Sequence, residues 1–222
     1  MCGIGAVIDI TSKNGLASLK RRITLELIRE LSVRGSDAAG IAAYLGRRVY
    51  IRKMPGSPLS FAERLEKVKG WERARVILIH DRAYTHCSPS NNYCNHPLCT
   101  KVDDKIVSLV HNGVLMVEPP NPRAPVDSYA LLEPVKKHGG LSIDAAFDML
   151  KVPGSKAVIA TDGELVVFFR DGNPLVRTWI DNKLLVLAST KEIMKRALRN
   201  AGVKKHSKIE SIEAQTIYHI NV

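Results

Sequence analysis

A chain of 222 residues with 45% hydrophobic content can close one full core, and residues 1–222 read as a single domain. It holds no apolar run of about 18 residues and no basic leader ahead of an apolar stretch, which excludes a helical membrane span and a secretory signal and leads us to expect a cytoplasmic chain. The formal net charge is +11, but the basic residues are spread along the chain and aromatics make up only 5%. Stacking platforms for nucleic acid are therefore scarce; a solvated basic surface is the first reading and an electronegative partner protein the second.

Ile4 to Ile10 reads as a first strand, and Thr11 to Gly15 as a polar turn. Leu16, Leu19, Ile23, Leu27, Ile28 and Leu31 recur at helical spacing and predict an amphipathic helix that ends at Arg34–Asp37. Gly40 to Leu45 and Val49 to Lys53 read as a hairpin joined at Gly46-Arg47. Pro58 to Lys69 reads as a short helix and Arg75 to His80 as a strong strand. From Thr85 to Lys105 the chain is rich in Ser, Asn, Pro and Cys and reads as loop. Ile106 to Val110 is a strand ending at His111-Asn112-Gly113, and Val117 to Pro125 is a proline-rich loop. Val126 to His138 and Ser142 to Leu150 read as helices separated by Gly139-Gly140. Lys156–Thr161, Leu165–Arg170, Leu175–Trp179 and Leu184–Ala188 are predicted strands, with Asp162-Gly163 as a hairpin turn. A helix over Lys191–Asn200 stops at Gly202, and Ile209–Ile212 and Thr216–Ile220 close the chain as strands. Strands and helices fall in blocks without βαβ alternation. That argues for an α+β fold, and the strand count permits two packed sheets with helices outside.

Three of the four cysteines, Cys87, Cys94 and Cys99, share one short segment with His86 and His96. The spacing C-x6-C-x4-C matches no compact zinc signature. These residues read as reduced thiols, with a disulfide in the loop as the alternative for a hyperthermophile chain.

The fourth, Cys2, directly follows Met1 and precedes the apolar run Ile4–Ile8. If Met1 is trimmed, one residue carries both a thiol and an α-amine, whose ordinary pKa is about 7.7–8.0. Such an amine is a general base beside the nucleophile. A small buried hydrophobe is the plainer reading of the same residue. Four further polar clusters sit at predicted strand ends or in loops: Arg34-Gly35-Ser36-Asp37-Ala38-Ala39-Gly40, His80 to His86, His111-Asn112-Gly113 and Val126-Asp127-Ser128.

Taken with Cys2-Gly3-Ile4 and Asn95-His96-Pro97, the order and spacing of these clusters resemble class II glutamine amidotransferases over nearly the whole chain. The resemblance implies a four-layer αββα sandwich of the N-terminal-nucleophile hydrolase type. It also implies hydrolysis of L-glutamine without a cofactor or metal, through a thioester on Cys2. Asn112 and Gly113 would supply the oxyanion donors, a task for preorganised N–H groups. Arg82 would take the substrate α-carboxylate, helped by Thr85 and His86, and Asp127 would take the α-ammonium. A helix cap is the alternative role for Asp127. Arg34 would fold over the Cys2 region, His111 would support the site, and His96 would be structural. Family members usually join this domain to a synthetase domain that consumes the ammonia, so a separate synthetase subunit is expected as partner, with no membrane and with nucleic acid the third and least favoured reading of the charge. The chain departs from the family pattern at Ala83-Tyr84, where an aromatic usually follows the Arg directly, at Cys87 in place of glycine, and at Ala38 in place of serine. Two rival readings remain: an amidase for another amide, and a glutamine-sensing or partner-binding subunit without turnover.

Overall fold

The first strand, β1 (Gly3–Asp9), is buried at every residue, which a strand reaches only when both faces of its sheet are covered. The computed structural model describes residues 1–11 and 14–222. After β1 come α1 (Ala17–Leu31), β2 (Ala38–Leu45), β3 (Arg48–Pro55), α2 (Pro58–Glu66) and β4 (Val76–Arg82). Then follow β5 (Leu98–Val102), β6 (Lys105–Leu115), α3 (Glu133–Lys137), α4 (Ile143–Lys151), β7 (Gly154–Thr161) and β8 (Leu165–Asp171). The chain closes with β9 (Val176–Ile180), β10 (Leu184–Ala188), α5 (Lys191–Asn200), β11 (Glu210–Ser211) and β12 (Tyr218–Asn221).

Seven strands form one sheet in the order β11-β9-β10-β1-β4-β2-β3, and five form the other in the order β12-β8-β7-β6-β5. Strand alternation assigns each side chain to a layer. Ile4, Ala6 and Ile8 of β1 and Leu78 of β4 meet Val110, Ile159 and Phe168 of the second sheet in the central seam. Val7, Ile77 and Ile79 point the other way, under Ile23, Leu27 and Leu31 of α1. On the far side Leu109, Val158 and Phe169 lie under Leu131, Val135 and Met149. The result is the expected four-layer αββα arrangement. Side chains burying this fully contribute roughly 1.5–3 kcal/mol each, so the layers are held mainly by apolar contact.

Polar contacts fix how the layers register. Lys20 of α1, 1% exposed, donates to Asp9 Oδ2 at 2.9 Å and to the Ala74 carbonyl at 2.8 Å, so the buried ammonium has two partners. Tyr44 of β2 reaches across the seam to the Ile106 carbonyl, Ser108 Oγ and the Thr161 carbonyl at 3.0, 2.7 and 3.1 Å. At the other end of the seam, His80 Nε2–H donates to the His111 carbonyl at 3.1 Å.

Several boundaries differ from the sequence reading. The loop predicted over Thr85–Lys105 contains β5, whose residues Leu98 to Val102 pair with β6. The strand expected to stop at Val110 runs on to Leu115, because Asn112, Gly113 and Val114 pair with Ala157, Lys156 and Ser155 of β7. The helix predicted over Val126–His138 is a 3-10 helix, Asp127–Leu132, followed by the short α3 with Pro134 in its first turn. Pro134 has no N–H to continue the earlier ladder. The turn expected at Thr11–Gly15 falls partly on residues 12 and 13, outside the described residues. Among the described residues no helix is long and apolar enough to cross a membrane.

Candidate active site

Gly3 pairs with Asp81 in the β1–β4 ladder, so Cys2 stands at the head of β1 beside the end of β4. Alternation puts its side chain on the seam face, the face of Ile4. The half-buried thiol lies 3.7 Å from the Ala83 carbonyl. Burial pushes the thiol pKa up; the contact with Ala83 and the positive charges of the chain terminus, Arg82 and Arg34 pull against that rise. Arg34 Nε donates to the Cys2 carbonyl at 2.9 Å, and its Nη2 reaches Met1 Sδ at 3.6 Å. Arg34 thus clasps the backbone of the terminus.

β6 supplies the opposite side. Val110 faces the seam, so Asn112, two residues on, faces it too. Asn112 is buried, and its Nδ2 lies 3.4 Å from Asn173 Oδ1. Gly113 has no room for a side chain: a Cβ there would lie 2.0 Å from the Ser155 carbonyl and 2.8 Å from His111 Nε2. Asp127 is not the cap of its 3-10 helix; that position is Val126. Its Oδ2 accepts from Leu115 N–H at 2.6 Å and its Oδ1 from the Ser128 hydroxyl at 3.2 Å.

Between these walls opens a cleft of about 710 Å³. Thr85, His86, Cys87, Gly113, Leu115 and Asp127 are among its lining residues. Of the predicted site residues, the structure brings Thr85, His86, Gly113 and Asp127 to this cleft. Cys2 and Asn112 are not among its lining residues: Asn112 lies next to Gly113 on β6, and Cys2 stands at the head of β1 beside the end of β4. Arg82 is turned into its own loop: Nη1 donates to Asn95 Oδ1 at 2.8 Å, and Nη2 to the carbonyls of His86 and Cys87 at 2.5 and 2.7 Å. Burial lowers its pKa. Asn95 passes the grip on, donating to the Pro89 carbonyl and Asn92 Oδ1 at 2.7 and 2.9 Å.

The expectation of reduced thiols is corrected here. The loop wraps Arg82 so tightly that Cys87 and Cys94 come to a Cα separation of 6.3 Å and form a disulfide, within the span such a bond requires. Cys87 holds a φ of 62°, a left-handed conformation that glycine adopts without strain, so the cysteine occupies a glycine-like position. The returning limb of the loop rests on β2, where a Cβ on Gly40 would meet the His96 carbonyl at 2.2 Å. Cys2 and Cys99 remain free.

Behind the cleft lie three buried imidazoles. His80 and His96 stack at 4.2 Å, and His111 tilts against His96 at 6.5 Å. Burial lowers all three pKa values, to about 3 for His80, to about 4 for His111 and well below the ordinary value for His96. Asp81 is fully buried with no hydrogen-bond partner on either oxygen, and burial raises its pKa well above the ordinary carboxylate range. Sequence reasoning placed Asp81 and Ser128 inside its polar clusters without giving either a role, and it missed Asn173. Ser128 stood next to a predicted site residue, while Asn173, in the turn after β8, carried no signal.

No family model matches the chain. It is 28% identical over 195 residues to glutamine–fructose-6-phosphate aminotransferase of Sulfurisphaera tokodaii, a match covering 79% of this chain and 31% of that protein. It is 34% identical over 115 residues to the protein of the same name from Helicobacter pylori, covering 52% of this chain and 17% of that one. The chain therefore spans less than a third of the length of these curated relatives. Its backbone matches the glutamine phosphoribosylpyrophosphate amidotransferase of B. subtilis with a TM-score of 0.74 at 20% identity, covering 99% of this chain and 47% of that one. It matches an allosteric regulatory enzyme of purine biosynthesis with a TM-score of 0.77 at 21% identity and the same coverage. The structural matches speak for the fold, and the sequence matches are to glutamine-using aminotransferases. In sequence and in fold the chain is similar to class II glutamine amidotransferase domains.

Proposed function

We propose that this chain hydrolyses L-glutamine to L-glutamate and ammonia through a thioester on Cys2, after Met1 has been removed. The observation that carries the reading is convergence: Gly113 of β6, Thr85 and His86 of the loop after β4, and Asp127 of the 3-10 helix line one cleft, with Asn112 next to Gly113 on β6 and Cys2 at the head of β1 beside the end of β4. The α-amine of Cys2 takes the thiol proton as sulfur attacks the side-chain amide carbon. The tetrahedral oxygen accepts from Asn112 Nδ2–H and Gly113 N–H, donors already held in place. Collapse returns the proton to the leaving nitrogen as ammonia. Water then cleaves the thioester, again with the amine as base. Asp127 offers the substrate ammonium the lone pairs that Leu115 and Ser128 leave free. Arg82 offers the α-carboxylate its charge, with Thr85 and His86 adding donors. Arg34 holds the terminal backbone over the cleft.

The ammonia would pass to a separate synthetase subunit. A basic surface suits an electronegative partner, and seven basic residues against one acidic residue fall between Lys191 and Lys208, exposed on α5 and the segment after it. The test is intact mass of the purified chain during turnover. Loss of Met1 and a γ-glutamyl adduct on Cys2 are expected, with ammonia release rising when a synthetase subunit is added at low salt. A processed chain that forms no adduct and releases no ammonia with any synthetase present would overturn the reading.

A further inference from the structure

We propose that Ser128 is a positioning residue that ties the carboxylate of Asp127 to the strand carrying Asn112 and Gly113, so that occupancy of the substrate-ammonium site sets the oxyanion donors. The inference rests on the glutaminase reading above. The tie has two arms, and they grip the strand on both sides of Gly113. One runs from Asp127 Oδ2 to Leu115 N–H at 2.6 Å. The other runs from Asp127 Oδ1 to the Ser128 hydroxyl at 3.2 Å and on to His111 Nδ1 at 2.8 Å. A serine hydroxyl has one hydrogen. When that hydrogen goes to the Asp127 oxygen, the contact with His111 must be donated by Nδ1–H, and Nε2 is left bare. His111 Nε2 makes no hydrogen bond of full geometry, although the nearby Ser155 backbone pulls the imidazole pKa upward against burial. That same Nε2 lies under Gly113, where a Cβ would stand 2.8 Å away, so a shift of the imidazole reaches the Gly113 backbone directly.

Ser128 is buried, so water does not substitute freely in the relay. An ammonium arriving at Asp127 competes for Oδ1 and weakens the Ser128–Asp127 arm, so the hydroxyl that accepts from His111 Nδ1–H is no longer held in place and the imidazole shifts beneath Gly113. The substrate amine, remote from the scissile bond, is thereby read at the oxyanion strand. Binding energy from a remote group is then expressed in kcat as well as in KM.

The experiment compares L-glutamine with 4-carbamoylbutanoate, which lacks only the α-ammonium, in the processed wild-type chain, Ser128→Ala and Ser128→Thr. In the wild type the analogue should lose about tenfold in kcat besides its rise in KM, since small misplacement of donors is costly. Ser128→Ala should lower kcat for glutamine about tenfold, hold its KM within about twofold, and change kcat for the analogue by less than about twofold. Ser128→Thr, which keeps the hydroxyl, should restore kcat for glutamine. Nitrogen NMR of His111 should show Nδ1–H with bare Nε2 in the wild type and a mixture of tautomers in Ser128→Ala. Equal losses on both substrates, or no loss on glutamine, would refute the tie while leaving the glutaminase reading standing. A wild-type chain without glutaminase activity would refute that reading instead. The tautomer measurement would then judge the tie alone: identical signals in wild type and Ser128→Ala would overturn it.

Discussion

The two walls of the cleft are built on different principles. Cys2, Asn112 and Gly113 lie on strands or at a strand head, each held within its own sheet by ladder pairing, β1 with β4 and β6 with β7, and backed by buried side chains. Thr85 and His86 come from an irregular, exposed segment whose order depends on the Arg82 knot and one disulfide. Bond-making tolerates little displacement of the reacting groups, whereas recognition of a zwitterion needs only charges in roughly the right places. The difference suggests a division of labour: substitutions on the strand wall should act on kcat, and changes to the loop wall on KM.

The hardest test of that division is Cys2→Ala. It should reduce glutamine turnover to background while leaving the thermal transition and glutamine binding, followed by calorimetry, close to wild type. Substantial turnover in that variant would remove the nucleophile from the strand wall. Next is Asn112→Ala, expected to lower kcat by about a hundred- to a thousandfold, the usual cost of one oxyanion donor. Its KM should barely move in steady-state kinetics, because the donor matters mainly in the transition state. An effect on KM alone would reverse the assignment of the walls.

Acid should strike the strand wall first, since the buried imidazoles lie behind it. His80, His96 and His111 have folded-state pKa values below their unfolded values. The stability they contribute is present above about pH 6.5 and is lost as pH falls toward about 4. Asp81 has the opposite sign, because its pKa is raised by burial. Its neutral form favours folding at low pH, and that contribution is lost as pH rises above about 3.9. Urea unfolding should therefore show a midpoint that drops between pH 6.5 and 4. Asp81→Ala should raise stability at pH 7 by about 1–3 kcal/mol and make the acid loss steeper. A flat profile in wild type would show that these groups are solvated in the native chain.

The smallest effect is expected from the loop wall. Reduction of Cys87–Cys94, or Cys94→Ala, should raise KM for glutamine about tenfold and keep kcat within about twofold, because the cross-link restricts the loop and touches no reacting atom. An equal fall in kcat would mean that the loop also orders the oxyanion strand.

Much of the layering was legible in the sequence. The apolar runs at Ile4, Val76 and Leu184 are too continuous for half-exposed strands, and they became central strands of the first sheet. β5 was not legible: its five residues include Cys99 and Lys101, and the proline and asparagine before them signal a loop. Strand identity there comes from pairing with β6, a non-local fact. The same holds at Gly113, which reads as a strand terminator until β7 is laid beside it. In the site, residue types announced themselves where chemistry demands a particular side chain. The partners of Arg82 did not, because two of them are backbone carbonyls, which every residue possesses. The disulfide was hidden for a related reason: it depends on how far the loop doubles back around that arginine.

Tyr44 stands at the far end of the seam from Cys2, yet its hydroxyl touches three groups of the opposite sheet. Apolar faces in contact have no preferred offset, since dispersion and solvent exclusion are nearly indifferent to a small slide. A single hydroxyl held by two carbonyls and a serine is not indifferent; it indexes one sheet against the other, as a dowel indexes two plates. The gap between a nucleophile on the first sheet and oxyanion donors on the second is then a dimension of the whole sandwich. Tolerance set at one edge is read out at the other, and Tyr44→Phe would loosen the alignment of the cleft without altering any atom in it.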